Sequence, residues 1–292
     1  MIFTAPAKIN LFLHITGRRD TGYHELESLF AFTHHGDEIS VQPQDHQDDH
    51  LEITGPFADD LIRAGGVGTD NLMLKAASLV RDYSKIKCPP VRLTLKKNLP
   101  IGAGIGSGSA DAAATLLALD RFWALGLQDA ELDRLALALG ADVPACLSSS
   151  PQWVTGIGEI RRSVHIDLPR YTVLVNPRVH VATPDIFRAY KDQGQAFDRP
   201  AIDPQAVLTD VNALADDTDN SLQQSAQQLA PEINHCLAVL SQMDQAKFVR
   251  MSGSGATCFA LFDCQSAAKD AADKIKALMP HWWVTVDQLH LK

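Results

Sequence analysis

The stretch that most limits how this chain can fold is Asn98-Leu-Pro-Ile-Gly-Ala-Gly-Ile-Gly-Ser-Gly-Ser-Ala-Asp-Ala-Ala-Ala114. Gly102, Gly104, Gly106 and Gly108 hold alternate positions, and alanine- and leucine-rich sequence follows. Upstream, Val91, Leu93 and Leu95 alternate with Arg92, Thr94 and Lys96, the period of a half-buried strand. The stretch therefore reads as strand, glycine loop and helix. Residues without Cβ let the backbone take positive φ and approach a ligand closely. The first turn of the helix offers unpaired N–H groups at the positive end of its dipole, which suits an anion such as phosphate. No lysine stands at the helix start, as a Walker A loop requires, and Ser107 occupies the place of the third glycine of a dinucleotide fingerprint. The same register excludes the protein-kinase loop. The alternative is a glycine-rich connector with no ligand, which is disfavoured because four glycines lose much backbone entropy unless something uses them.

With 292 residues the chain has room for two domains and a sizeable core. Its net charge of −9 argues against a general binder of nucleic acid or of an anionic membrane. A nucleotide site on so acidic a chain must concentrate positive potential locally, or take the nucleotide as its metal complex. The five cysteines are odd in number and widely spaced, and no C-x-x-C pair occurs, so zinc-ribbon and thioredoxin-like readings fail. Reduced thiols in a cytoplasmic protein are the simplest account. The apolar run from Ile9 to Leu13 is broken by Asn10 and flanked by Lys8 and His14, unlike a signal peptide. No apolar run reaches the length of about 18 residues that a membrane span needs.

Ile2 to Ile15 reads as a strand with Ile9, Leu11 and Leu13 on one face and Lys8, Asn10, Phe12 and His14 on the other. That second face is either a polar site or simply solvated. Gly17 to Gly22 is a turn-rich loop, and Tyr23-His24 after it can stack on a base or pack a hairpin. Short strand-like pieces from Gly36 to Thr54 flank a polar loop, Gln44 to His50, whose Asp and His residues read as solvated and not as a metal site. A helix runs from Leu72 to Tyr83 with Asp70 or Thr69 as its N-cap. The glycine loop feeds a helix from Ala110 to Ala124, buried on most sides. Another helix, opened by Asp129 and Glu131, stops at Gly140. Asp142, between that stop and Pro144, is a carboxylate on a stiff corner among small and apolar neighbours, or else a helix cap.

Beyond Glu159 the pattern restarts with a strand from Tyr171 and a helix start at Thr183, Pro184 taking its first position. Loops and short helices fill Lys191 to Asp219, and a helix led by Pro231 runs to Met243. Strands Phe248 to Met251 and Cys258 to Phe262 are joined through Ser252-Gly-Ser-Gly-Ala-Thr257. A helix from Ser266 to Met279 and a strand from Trp282 to Leu289 complete the chain. Strands and helices interleave in both halves, so the class is α+β in two layers, and no internal repeat is visible.

Three motifs line up with a family. Pro6-Ala-Lys-Ile-Asn-Leu-Phe-Leu13 with Gly22-Tyr-His-Glu-Leu26 is the first, Pro100 to Ala113 with Gly140-Ala-Asp-Val-Pro144 the second, and Met251-Ser-Gly-Ser-Gly-Ala256 the third. On these residues the chain resembles the GHMP small-molecule kinases over nearly its whole length. The Gly-Tyr-His signature resembles that of the branch acting on a cytidine-diphosphate sugar alcohol. The resemblance implies a two-domain GHMP kinase-like fold. Residues 1–160 would form a ribosomal protein S5 domain 2-like domain that binds ATP and substrate, and residues 161–292 a ferredoxin-like domain closing the cleft. It implies ATP-dependent, Mg²⁺-assisted phosphorylation of the 2-hydroxyl of a cytidine-diphosphate methylerythritol, in the non-mevalonate route to isoprenoid precursors. The partners implied are that small molecule and ATP, with no nucleic acid and no membrane.

Roles follow from the same resemblance. Asp142 would be the general base, with Lys8 beside it to keep the carboxylate ionised, and Asn10 would orient the substrate. Pro100, Ile101, Gly102, Ala103, Gly104, Ile105, Gly106, Ser107, Gly108 and Ser109 would wrap the triphosphate, and Asn71, Leu72 and Lys97 would lie near the adenine. Tyr23, His24, Phe30 and Phe187 would hold the cytidine, while Gly253 and Ser254 would close over the substrate. Departures from the family pattern are Ser107 in place of a glycine, Ala110 in place of a second serine, and Asn220-Ser221 near the usual Asn-Asp. Ser107 is strained if its position needs positive φ, and Ala110 leaves Ser109 as the metal candidate. Asp111 is expected to point away from a bound anion and cap locally. The alternatives are another alcohol kinase of the superfamily, or a non-catalytic nucleotide-binding regulator on the same fold.

Overall fold

A computed structural model describes residues 1–20, 22–194, 197 and 201–292. In chain order the elements are β1 (Ile2–Arg18), β2 (His24–Pro43), β3 (His50–Thr54), α1 (Ala58–Arg63), α2 (Leu72–Tyr83), β4 (Val91–Lys96) and α3 (Ser107–Trp123). Then come α4 (Asp129–Leu139), α5 (Val143–Ser148), β5 (Gln152–Gly156), β6 (Ile160–Ser163), β7 (Tyr171–Asn176) and α6 (Thr183–Asp192). The remainder is α7 (Pro204–Thr209), α8 (Val211–Asp216), α9 (Gln223–Leu229), α10 (Glu232–Ser241), β8 (Phe248–Met251), β9 (Cys258–Phe262), α11 (Gln265–Leu278) and β10 (Trp283–Gln288). The chain divides into two compact units, each drawn from three segments. One unit is Met1–Ala7, His35–Ile101 and Gly106–Ser149; the other is Lys8–His34, Gly102–Ile105 and Ser150–Lys292.

In the first unit the C-terminal half of β2 runs antiparallel to β4, with Glu38 opposite Lys96, and β3 lies parallel to β4 on its other edge. The alternation read in the sequence is the burial pattern of β4: Val91, Leu93 and Leu95 are inside, Arg92 and Lys96 outside. Helix α3 packs against α2, α4 and α5. Its alanines at 110, 112, 113, 114 and 118 are buried, and such small side chains let neighbouring helices approach from several sides. The helix starts at Ser107, three residues before the expected Ala110, because Gly106 in the left-handed region already turns the chain into it. The N-cap of α2 is Asn71, whose carboxamide accepts from the Met73 N–H at 2.8 Å; neither Asp70 nor Thr69 fills that place.

In the second unit Leu26–Phe30 of β2 pairs antiparallel with β5, and β5 with β6. A separate antiparallel sheet has the order β10-β7-β9-β8, which is 4-1-3-2 in chain order, the ferredoxin-like arrangement. Helices α10 and α11 pack on this sheet and complete its apolar core with Ile233, Leu240, Ala268 and Ile275. Arg250 on β8 is buried there and donates to the carbonyls of Leu11 (2.9 Å) and Thr218 (2.6 Å) and to the Thr218 hydroxyl (2.7 Å). Burial lowers its pKa to about 10, and it stays a cation at neutral pH. Arg250→Leu is expected to lower stability by about 2–3 kcal/mol, since four hydrogen bonds from a charged donor, a longer one to the Leu214 carbonyl (3.4 Å) included, vanish and buried acceptors remain. A urea titration followed by circular dichroism measures it.

Other expectations shift in detail. Strand β1 reaches Arg18, and Ala5 to Ile15 are all buried, so the solvated-face alternative for Lys8 and Asn10 is ruled out. Of the short strands expected between Gly36 and Thr54, the piece before the polar loop is the end of the 20-residue strand β2, and the piece after it is β3. Pro184 is the second residue of α6, with Ala182 as N-cap. Helices α1 and α9 and the strands β5 and β6 carry periodicity too short to have been read. Thr21 in the expected turn, and 195–196 and 198–200 in the expected loop, lie outside the described residues.

Candidate active site

The glycine loop leaves β4 through Asn98, Leu99 and Pro100. Its backbone takes positive φ at Gly102 (56°), Gly104 (73°) and Gly106 (61°). Ser107 is the first residue of α3 and lies outside the left-handed region, so the strain foreseen for it does not arise; its hydroxyl donates to the Pro100 carbonyl at 3.4 Å. The first turn of α3 contains no acidic residue, and Gly106 supplies no side-chain cap. That leaves a helix N-terminus suited to anionic oxygens. Ser109 sits half-buried on this turn.

In the second unit Lys8, Asn10 and Ser252 share one hydrogen-bond network with the glycine loop. The Lys8 ammonium, on a 5% exposed residue, donates to the Asn10 carboxamide oxygen at 3.0 Å and lies 4.2 Å over the Phe30 ring. The Asn10 amide group donates to Ser28 at 2.9 Å. The Ser252 hydroxyl accepts from the Asn10 backbone N–H at 3.1 Å and donates to the Gly104 carbonyl at 3.0 Å. Two backbone bonds run alongside, Lys8 N–H to Ile105 (2.9 Å) and Thr257 N–H to Ala103 (3.1 Å). The approach is so close that a Cβ on Gly253 would lie 2.7 Å from the Gly104 carbonyl oxygen. Asn220 holds the same loop, donating to the Met251 and Gly253 carbonyls at 2.8 Å each, and Ser221 accepts from the Ile15 N–H at 3.0 Å. The side chains that depart from the family's Asn-Asp therefore brace backbone.

The aromatic residues divide. His24 stacks on Phe187 with centroids 5.1 Å apart and 28° between planes, and meets Tyr190 edge-on at 6.1 Å. Burial, then Arg18 and Lys191, push the His24 pKa below its usual value, so the imidazole is neutral at pH 7. Tyr23 is 66% exposed. Phe30, 2% exposed, carries the Lys8 ammonium over one face of its ring. Ser254 is bonded through its hydroxyl to that of Thr183, the first residue of α6, at 2.8 Å.

In the first unit Asp142 precedes α5 and makes no side-chain cap hydrogen bond, so capping does not account for this half-buried carboxylate. Of the three residues expected near adenine, Asn71 and Leu72 are half-buried at the start of α2, although both ends of the Asn71 carboxamide serve the turn. Lys97 turns its side chain inward. Its ammonium is buried between the Asp37 and Asp111 carboxylates at 2.6 Å each, while its N–H and carbonyl are bonded to Thr54 and Phe57. The carbonyl keeps a second lone pair. Asp111 is a correction: it does turn away from the loop, but onto Lys97 and not into a local cap. Burial would lower the Lys97 pKa, yet the two carboxylates outweigh it and hold the ammonium above its ordinary value. Burial raises Asp111, against the pull of Lys97. Sequence reading missed Ser252, Ser28 and Asp37, although Ser252 stands inside the third glycine motif. Among the described residues no group of three or more His, Cys, Asp or Glu is placed to hold a metal ion.

The family described as GHMP kinases N terminal domain matches residues 71–150, and GHMP kinases C terminal matches residues 199–281. The class is thus a GHMP kinase. Over 96% of the chain it is 45% identical to "4-diphosphocytidyl-2-C-methyl-D-erythritol kinase" of Agrobacterium fabrum, of which 93% is covered. The protein of the same name from Paramagnetospirillum magneticum is 40% identical over 98% of this chain and 97% of its own. A crystal structure of 4-(cytidine 5'-diphospho)-2C-methyl-D-erythritol kinase superposes with a TM-score of 0.79 at 33% identity, covering 99% of both chains. Homoserine kinase from Cytophaga hutchinsonii, at 17% identity and a TM-score of 0.73 over 100% of this chain and 95% of its own, shares the fold. The chain belongs to the 4-diphosphocytidyl-2-C-methyl-D-erythritol kinase family.

Proposed function

We propose that this chain transfers the γ-phosphoryl group of ATP to the 2-hydroxyl of 4-diphosphocytidyl-2-C-methyl-D-erythritol, in the non-mevalonate route to isoprenoid precursors. The observation that carries the reading is the network in which Ser252 joins Asn10, and through it the Lys8 ammonium, to the carbonyl of Gly104. Residues that would meet the acceptor alcohol are thereby tied to the loop that would grip the donor.

In the proposed reaction Asp142 takes the proton of the substrate hydroxyl as its oxygen bonds to the γ-phosphorus and the bond to the bridging β–γ oxygen breaks, releasing ADP. Lys8 favours the developing alkoxide, and Asn10 orients the substrate. Backbone N–H groups of the loop and of the first turn of α3 face the phosphate charge, and Gly253 and Ser254 border the substrate. Neutral His24, stacked on Phe187, offers the cytosine a ring face and a hydrogen-bonding nitrogen, with exposed Tyr23 as a third contact. Asn71 and Leu72 would border the adenine.

The protein's own donor set suits a metal that arrives on the nucleotide. Ser109 offers one hydroxyl and no carboxylate cage is present among the described residues, which fits Mg²⁺ held mainly by phosphate oxygens and water. When bound, the ion offsets phosphate charge. Among the described residues no helix is long and apolar enough to cross a membrane. Among the described residues no disulfide joins the five cysteines, four of them buried, and that supports a cytoplasmic setting.

Transfer of labelled phosphate from ATP across a panel of the cytidine alcohol, mevalonate and homoserine tests the reading. Turnover on the first alone supports it; preference for another alcohol, or nucleotide binding without turnover, sinks it. His24→Ala and Phe187→Ala are each expected to raise KM for the cytidine substrate about 3–10-fold and to leave KM for ATP unchanged. Equal rises in both would contradict the assignment.

A further inference from the structure

We propose that Asp37, Lys97 and Asp111 form a buried positioning device that clamps the two ends of the glycine loop together, and so sets affinity for the ATP phosphates. The proposal rests on the kinase reading above and names residues that the reading itself does not use. The Lys97 side chain is 2% exposed, Asp37 0% and Asp111 6%, and both carboxylates lie 2.6 Å from the ammonium. Asp37 spends its other oxygen on the N–H groups of Asn98 (2.6 Å) and Leu99 (2.8 Å), the residues that lead into the loop. Asp111 stands on α3, one turn beyond Ser107, where the loop ends. Lys97 therefore links the loop's entry to its exit.

Stability does not explain the arrangement. Two carboxylates share one ammonium in a dry interior, and Asp111 Oδ1 is buried with no hydrogen-bond partner. Asp37 and Lys97 alone would form a balanced pair. The second carboxylate adds desolvation, and replacing buried ionic groups by apolar ones is often neutral or stabilising. A carboxylate kept at such a position needs a use. The loop supplies one, because its glycine backbone has wide conformational freedom and a flexible cradle loses affinity to ordering unless its ends are fixed beforehand.

The test compares Asp111→Ala, Lys97→Met and Asp111→Asn with the unmodified chain. The readouts are thermal melting, calorimetric Kd for a non-hydrolysable ATP analogue with Mg²⁺, and KM for each substrate. Asp111→Ala is expected to melt no lower than the unmodified chain, with analogue Kd and KM for ATP raised about tenfold and KM for the cytidine substrate moved less than about twofold. Lys97→Met, which leaves two buried carboxylates without a counter-ion, is expected to melt lower and to show the same selective loss for ATP; if it does not fold, Asp111→Ala decides the matter. Asp111→Asn, which keeps an acceptor toward Lys97, should stay within about threefold of the unmodified affinity. Unchanged analogue affinity in folded Asp111→Ala overturns the proposal. So does a parallel rise in both KM values, or a lower melting temperature with no selective loss for ATP. If the unmodified chain transfers no phosphate to the cytidine substrate, the kinase reading fails, while the ratio of analogue affinities still decides the clamp.

Discussion

Asp142→Asn is expected to keep the fold and the nucleotide affinity while kcat falls roughly 10²–10⁴-fold, the usual effect of losing a general base. The substitution is nearly isosteric, and asparagine adopts the backbone angles found here, φ −85° and ψ −15°, without strain. Asp142 makes no side-chain cap bond at the start of α5, so the substitution removes no cap from that helix. The neighbouring chain is stiffened by Pro144, so the side chain has little freedom to be replaced by a rearranged one. Single-turnover kinetics beside equilibrium nucleotide binding separate the two effects. A variant that turns over within tenfold of the unmodified chain removes Asp142 from the role.

The second large effect is expected at Gly104. Its φ of 73° lies in the left-handed region, and an added Cβ would come within 2.4 Å of the Ser252 carbonyl oxygen and 2.5 Å of the Gly255 nitrogen. Both neighbours are backbone, so neither can swing aside as a flexible side-chain end would. Gly104→Val adds the left-handed penalty of about 1–2 kcal/mol for a residue with a Cβ, and it forces the two glycine loops apart. The Ser252 bonds to Gly104 and Asn10 then break together, so donor and acceptor binding should fail in the same variant. We expect kcat/KM to drop at least about 10³-fold, corresponding to roughly 4 kcal/mol of transition-state stabilisation, with far-ultraviolet circular dichroism little changed. Separate KM values for ATP and for the cytidine substrate give the check. If only the ATP constant moved, Ser252 would not be coupling the two ends.

Much of this site was legible because its elements announce themselves locally. The apolar alternation of β4, the alternate glycines and the alanine run of α3 are adjacent in sequence, so neighbouring residues suffice to predict strand, loop and helix. Lys8 and Asn10 stood out for a related reason, two polar residues on an otherwise apolar strand, and both are indeed buried. What stayed hidden depends on separations that no window covers. Lys97 and Asp111 are 14 residues apart and Lys97 and Asp37 are 60 apart, so no local pattern showed that this lysine is an internal ion. The Lys8 ammonium over one face of the Phe30 ring was hidden in the same way, since the two residues are distant in sequence. Ser252 reaches Gly104 across 148 residues.

The sequence by itself determined the α+β class, the phosphate-type glycine loop and the family, because each rests on periodicity or motif spacing written along the chain. Only the tertiary structure decided which polar groups are spent on one another: Lys97 on two carboxylates, Asn71 on its helix, Ser252 between two loops. The physical reason is that burial makes an unpaired charge or donor costly. Each such group must therefore find a partner wherever the fold brings one, at a distance along the chain that local pattern does not encode.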